Sequence, residues 1–124
     1  MHDKGCCHRD LKPENILYDG VSGDIKLIDF EIAKMIKYEH QTLEMLTDTG
    51  TLQYRAPESL TGGLYSEKID IWAIGVIAFE LLTGSLPFKG VYRHDLARSI
   101  CELDPDFESL GLSQSATTFL KKLL

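Results

Sequence analysis

The chain lacks any long hydrophobic run: its longest, Ile71 to Phe79, falls well short of the ~20 apolar residues a helix needs to cross a bilayer. It is therefore expected to be soluble, with no membrane partner. Cysteine is scarce, with three residues, two of them adjacent at Cys6 and Cys7. An odd count with that spacing excludes a disulfide framework and fits a reducing compartment, cytoplasmic or nuclear. Basic charge is also in deficit, 13 Lys and Arg against 19 Asp and Glu for a net charge of −6, and the basic residues are dispersed. Phosphate backbones demand clustered cations, so a nucleic-acid partner is excluded. Internal repeats, low-complexity tracts and a signal-peptide pattern are all missing.

What is present is an ordinary globular composition, 44% hydrophobic and 26% charged over 124 residues, enough for one small domain and its core. The densest chemistry lies in His8-Arg9-Asp10-Leu11-Lys12-Pro13-Glu14-Asn15. Pro13 fixes its own φ and discourages helix before it, so this segment reads as a rigid polar loop. Asp10 and Asn15 on such a loop can divide two tasks, the acid accepting a proton and the amide oxygen binding a hard cation.

Two β-rich runs follow, Ile16-Leu17-Tyr18 and Ile25 to Phe30, separated by the turn formers Asp19-Gly20-Val21-Ser22-Gly23-Asp24. They predict a β-hairpin that returns Asp29 to the neighbourhood of Asp10. Oxygen ligands at Asn15 and Asp29 would suit Mg²⁺, which takes one or two protein ligands and fills its remaining positions from water and phosphate. His2, Cys6, Cys7 and His8 could be assembled into a zinc site on paper. Neighbouring side chains on an extended segment point to opposite faces, however, and buried structural cysteines in a short strand are the preferred reading.

The loop from His8 to Asn15 resembles the catalytic loop of eukaryotic protein kinases, and three further motifs follow in the order that family shows: Asp29-Phe30-Glu31, Ala56-Pro57-Glu58, and Asp70-x-Trp72-x-x-Gly75. The resemblance covers essentially all of the chain. It implies a serine/threonine kinase, since Lys12 two residues after Asp10 is the choice of that class, with wording near Gly50 to Glu58 similar to the calcium/calmodulin-dependent-like group. It implies ATP and Mg²⁺ as cofactors and a protein Ser or Thr hydroxyl as acceptor. By the same resemblance Asp10 is the catalytic base, Lys12 offsets charge on the transferring phosphoryl group, Asn15 and Asp29 hold the metal and nucleotide phosphates, and the Thr51 hydroxyl bonds toward Asp10 and Lys12. Thr47 would carry an activating phosphate paired with Arg9. Asp70 would cap the backbone of the catalytic loop. Glu31 departs from the family, which has glycine there; a side chain adds a Cβ penalty at positive φ and a negative charge beside a phosphate site.

Ile32 to Thr49 shows no period and reads as an exposed loop. Ser66 to Thr83 predicts the main helix, with Ser66 as cap and Gly84 as stop, and its apolar residues cover most of the circumference, so it is expected to be surrounded by protein. Arg93 to Leu103 predicts a surface helix, and Ser113 a cap for a last one whose face Ala116, Phe119, Leu120, Leu123 is expected to lie uncovered. Glu80 stands among apolar residues and needs a partner. It either pairs with an internal Arg or Lys or, with Glu14, lines a groove for substrate arginines, as the matching acids do in kinases that prefer basic sequences.

The expected architecture is α+β, mainly α: a partial protein-kinase-like large lobe with a central buried helix and one small β-hairpin at the site. The chain holds no Gly-rich loop, no Val-Ala-x-Lys strand and no partner Glu helix, so residues 1–124 are expected to be one part of a larger kinase domain that begins before Met1 and continues past Leu124. A reading from a different class is a non-catalytic, pseudokinase-like lobe that only docks proteins.

Overall fold

A computed structural model of the chain describes residues 1–35, 51–62 and 65–124. Among the described residues two short antiparallel ribbons and four α-helices are formed. Strand β1 (Cys6–Cys7) pairs with β4 (Lys34–Met35), and β2 (Ile16–Tyr18) pairs with β3 (Ile25–Leu27) in the register Ile16 to Leu27 and Tyr18 to Ile25. The β2–β3 ribbon is the expected hairpin. Its turn is closed by Asp19, whose carboxylate accepts the backbone N–H groups of Val21 and Ser22 and is held below the usual carboxylate range by those bonds. The short strand expected at Cys6 and Cys7 is present as β1, but its partner β4 was not anticipated, because a two-residue strand has no readable period; it places Lys34 and Met35 in a sheet where an open loop was expected.

The helices are α1 (Pro57–Leu60), α2 (Lys68–Thr83), α3 (Arg93–Glu102) and α4 (Gln114–Leu120). Helix α2 starts two residues later than predicted; Ser66 acts in the turn before it, its Oγ accepting the N–H of Lys68 at 3.3 Å. Gly84 ends it at φ 72°, donating its N–H to Glu80 O at 2.8 Å. Helix α3 opens with Tyr92 N donating to the Asp95 carboxylate, and α4 with Ser113 Oγ accepting from Ala116 N.

Every core cluster among the described residues contains a residue of α2. Ile69 packs with Cys7, Ala56 and Tyr65; Val76 with Leu52, Phe88, Leu96 and Ile100; Ala73 and Ile77 with Leu11; Phe79 with Phe107 and Leu120. The helix is thus the post on which loop, ribbon and outer helices are hung, each large apolar side chain contributing roughly 2 kcal/mol by burial. It is not enclosed on all sides, as its composition had predicted. Ile71, Ile74, Leu81 and Leu82 are exposed, Leu81 to 79%. Periods of three and four put them on one stripe, so the surplus apolar residues form a bare edge rather than a second buried face. Helix α4 is better covered than expected: Leu120 is fully buried, and Leu123 and Leu124 close on Gly75, where an added Cβ would stand 2.8 Å from Leu123 Cβ. Phe119 alone of that face stays half exposed.

Candidate active site

Asp70 sits in the first turn of α2, 1% exposed, and faces the loop before β2. Its Oδ2 accepts the backbone N–H of His8 at 2.8 Å and the Nε2–H of His2 at 2.8 Å, while Oδ1 accepts the N–H of Arg9 at 2.9 Å. The capping role expected for Asp70 is therefore present in full. These bonds hold Arg9 at φ 73°, a left-handed conformation that an L-residue adopts at a cost of about 1–2 kcal/mol. The guanidinium of Arg9 lies 6.0 Å from the centre of the Tyr65 ring.

His8 is wholly buried. Its ring stacks obliquely on Phe30 at 4.8 Å, its Nδ1 accepts from Asp10 N at 3.4 Å, and its Nε2–H donates to Ile28 O at 3.0 Å. With His2 committed to Asp70 and His8 to Ile28, the imidazoles that a zinc site would have used are engaged in tying segments together.

The turn Pro13–Asn15 then brings three functional side chains to one place. Lys12 Nζ donates to Asp10 Oδ2 at 2.7 Å, and Asn15 Nδ2 donates to Asp10 O at 2.8 Å and to Asp10 Oδ2 at 3.3 Å. One carboxylate oxygen of Asp10 is thus fixed, and Oδ1 has no protein partner among the described residues. Asn15 is buried and anchored through its nitrogen, which leaves the amide oxygen for another ligand. The bond from Ile28 N to Asn15 O at 3.0 Å ties the segment leading to Asp29 to the end of the loop. Lys12 holds its proton more tightly than a free lysine, first because of the Asp10 hydrogen bond and then through the fields of Asp10, Glu14 and Asp29. The tie from Ile28 to Asn15 sets Asp29, the next residue, beside the end of the loop, as the hairpin reading expected.

Asp29 stands at φ 63°, and with Arg9 it is one of two non-glycine residues at positive φ among those described. The strain expected at Glu31 is therefore not there: the unusual backbone falls on Asp29, and the Cβ of Glu31 meets no left-handed penalty. The donor types suit Mg²⁺, an anchored amide oxygen at Asn15 and an exposed carboxylate at Asp29 both being hard oxygen ligands. No three His, Cys, Asp or Glu side chains converge as a metal cage among the described residues.

Thr51 lines the same small recess as Arg9, Asp10 and Tyr54, but its hydroxyl makes no hydrogen bond to Asp10 or Lys12, contrary to expectation. It sits at the head of the turn Leu52–Tyr54 in an extended conformation that supplies no side-chain cap. Thr47 lies outside the described residues. Glu80 is half-buried and finds its partner in a hydroxyl rather than in a cation: its Oε2 accepts the phenol proton of Tyr54 at 2.7 Å. Burial pushes the Tyr54 hydroxyl up, and the Glu80 hydrogen bond and the charges of Glu80 and Glu14 add to it. Glu80 thus lies at the phenol by a direct bond, and Glu14 adds the weaker influence of a negative charge on the loop.

His2, His8 and Tyr54 were the functional neighbours that residue-by-residue reading missed. The acids Asp70 and Glu80 gave the signal for them, since a carboxylate set among apolar residues must find donors somewhere in the chain.

The family model described as protein kinase domain matches residues 1–124. The chain is 41% identical over its whole length to a probable myosin light chain kinase of Dictyostelium discoideum, covering 36% of that protein. It is 40% identical to calcium/calmodulin-dependent protein kinase type 1 of Macrobrachium nipponense, covering 36%, and 38% identical to CDPK-related kinase 4 of Arabidopsis thaliana, covering 21%. The chain thus spans about a third or less of the length of these relatives.

Proposed function

The chain belongs to the protein kinase family, and from that premise we propose that it forms the catalytic-loop side of a serine/threonine kinase active site, acting in transfer of the γ-phosphoryl group of ATP to a protein hydroxyl. The observation that carries the reading is the pair of bonds from Lys12 and Asn15 to Asp10. They fix the carboxylate plane and leave Oδ1 to orient an incoming Ser or Thr hydroxyl and accept its proton. Lys12, already beside Asp10, is positioned to offset negative charge on the phosphoryl group in flight. Asn15 and Asp29 would hold Mg²⁺, which when bound draws the phosphate oxygens together and neutralises them. Arg9 with Thr47 as a phosphorylation switch, and Glu14 with Glu80 as a subsite for substrate arginines, belong to the same proposal.

The alternative, a non-catalytic docking lobe, would need the polar cluster to be idle. The relatives named above are all kinases, and Asp10, Lys12, Asn15 and Asp29 are all in place. A chimera in which this chain replaces the matching segment of the Dictyostelium kinase discriminates the two. It is expected to phosphorylate a serine peptide and to lose that activity with Asp10→Ala. A folded chimera that shows no turnover above the Asp10→Ala level favours the docking lobe. The 124-residue chain by itself, without a Gly-rich loop or its lysine strand, is expected to transfer no phosphate.

A further inference from the structure

The charges around α3 run against its own dipole. A helix favours acids at its N-terminus and cations at its C-terminus. Lys89, Arg93 and His94 stand at or just before the N-terminal end of α3, within an unbroken exposed run from Lys89 to His94, while Glu102, Asp104, Asp106 and Glu108 follow at its C-terminal end. Among these groups only Asp95, which caps Tyr92 N, sits where the dipole favours it. Residues 84–101 hold three Lys or Arg against one acid, in a chain whose net charge is −6. The ten residues of α3 set the two ends about 15 Å apart, beyond the ~8 Å over which charges act through physiological salt, so they do not neutralise each other within one chain.

Each end has a shape as well as a charge. At the basic end Val91 and Tyr92 project, 87% and 66% exposed, and the Tyr92 ring stacks on His94 at 5.7 Å with an interplanar angle of 4°. The acidic end is concave: Asp104, Asp106 and Glu108 border a recess of about 420 Å³ lined by Phe107 and by Lys121 beyond α4. A recess of that volume accepts a group the size of a tyrosine side chain. Lys121 Nζ lies 5.7 Å from the centre of the Phe107 ring, so the aromatic wall already carries one cation. The carboxylates of Asp104 and Glu108 have no protein partner among the described residues. We infer that the basic end of α3 in one copy of this chain docks into the acidic recess of a second copy, with Tyr92 as the anchor and Lys89 and Arg93 set against Asp104 and Glu108. The occupant is a second copy because one sequence supplies both complementary surfaces. The two surfaces differ, so the contact is head-to-tail, and copies add in a row rather than closing at two. An aromatic anchor ringed by charge pairs over a small area makes a weak, salt-sensitive contact.

Sedimentation of the purified chain tests this. At about 20 mM salt the average mass should rise past that of a dimer as the concentration goes from about 5 µM to about 500 µM, and about 500 mM salt should weaken the association at least about tenfold. Tyr92→Ser, which keeps a capping hydroxyl, should weaken it about tenfold with the charges intact. Lys89→Glu with Arg93→Glu, and separately Asp104→Lys with Glu108→Lys, should each leave a monomer. Mixed in equal amounts these two variants should form a dimer that grows no further, since the first keeps only its recess and the second only its basic end. Where circular dichroism shows that a charge-reversed variant does not fold, Lys89→Gln with Arg93→Gln and Asp104→Asn with Glu108→Gln take its place and should weaken self-association at least about threefold. A wild-type chain that stays monomeric throughout overturns the inference. So does a mixture of the two reversed variants that stays monomeric. Association that salt leaves unchanged and that persists in both reversed variants belongs to the bare edge of α2 and overturns it as well.

Discussion

Asp70 Oδ1 lies 2.9 Å from the backbone nitrogen of Arg9, and the same carboxylate holds the preceding nitrogen of His8 through its other oxygen. A helix side chain thus dictates the backbone of a loop some sixty positions earlier in the chain, and the left-handed turn at Arg9 persists because both of its flanking amides are claimed.

Replacing that acid should loosen the loop. Asp70→Asn keeps one acceptor oxygen but turns an NH₂ group toward two donors, leaving at least one buried N–H unpaired. The expected cost is about 2–3 kcal/mol, read by urea denaturation of the chain. Faster amide exchange at His8 and Arg9 than at residues in the middle of α2 should accompany it. A change below about 0.5 kcal/mol would mean that the loop holds its shape without the carboxylate.

Two glycines should differ in cost. At Gly90 an added Cβ would lie 2.2 Å from the backbone nitrogen of Leu96, so alanine must push the segment off α3. At Gly84 a Cβ meets nothing within 4 Å, and alanine pays only for φ 72°. Gly84→Ala should lose about 1 kcal/mol and Gly90→Ala more, in the range of about 2–3 kcal/mol, by the same denaturation assay. Equal losses would show that the stretch around Gly90 yields easily.

Stability should fall at alkaline pH. Burial is the largest cause raising the Cys7 thiol above its ordinary value of 9.0, with the Asp70 charge second; burial likewise raises Tyr54 above 10.0, with Glu80 second. Both groups stay protonated in the fold and ionise in the unfolded chain. Their contribution is therefore complete below pH 9 and is lost as the pH climbs beyond it. Denaturation midpoints should be flat from neutrality to about pH 8.5 and decline above it, less steeply in Cys7→Ser. A thiol reagent at neutral pH should label exposed Cys101 first, half-buried Cys6 more slowly, and Cys7 only on unfolding.

The chimera described above allows the metal ligands to be separated from the base. Asn15→Ala should raise the Mg²⁺ concentration needed for half-maximal rate, with turnover partly restored by excess metal. Asp10→Ala should drop kcat by about a hundredfold or more, with no rescue by metal. Identical metal profiles for the two variants would argue against the division of labour between amide and carboxylate.

The sequence made the site more legible than its surroundings, for a physical reason. Asp10, Lys12, Asn15 and Asp29 stand in short ordered motifs of the family, where residue type narrows the proposed role directly. Packing is read only through periodicity. Helix α2, with apolar residues around most of its circumference, could not disclose that Ile71 and Leu81 belong to a bare stripe while Val76 is fully buried. Single hydrogen bonds are harder still. The tie from Tyr54 to Glu80 and that from His2 to Asp70 join residues 26 and 68 positions apart, distances at which no local pattern operates. The Thr51 hydroxyl shows the converse: a role assigned by resemblance places the residue at the right recess without guaranteeing its bond.

The left-handed backbone at Asp29 sets the site against the stability of the chain that carries it. Glycine would occupy that conformation without a Cβ conflict, so Asp29→Gly should leave the fold as stable as before or make it firmer by up to about 1 kcal/mol, while removing the carboxylate proposed to hold the metal. Directed evolution of the chimera that rewards thermal survival alone would therefore drift toward glycine at this position and, on the proposed function, lose turnover on the way.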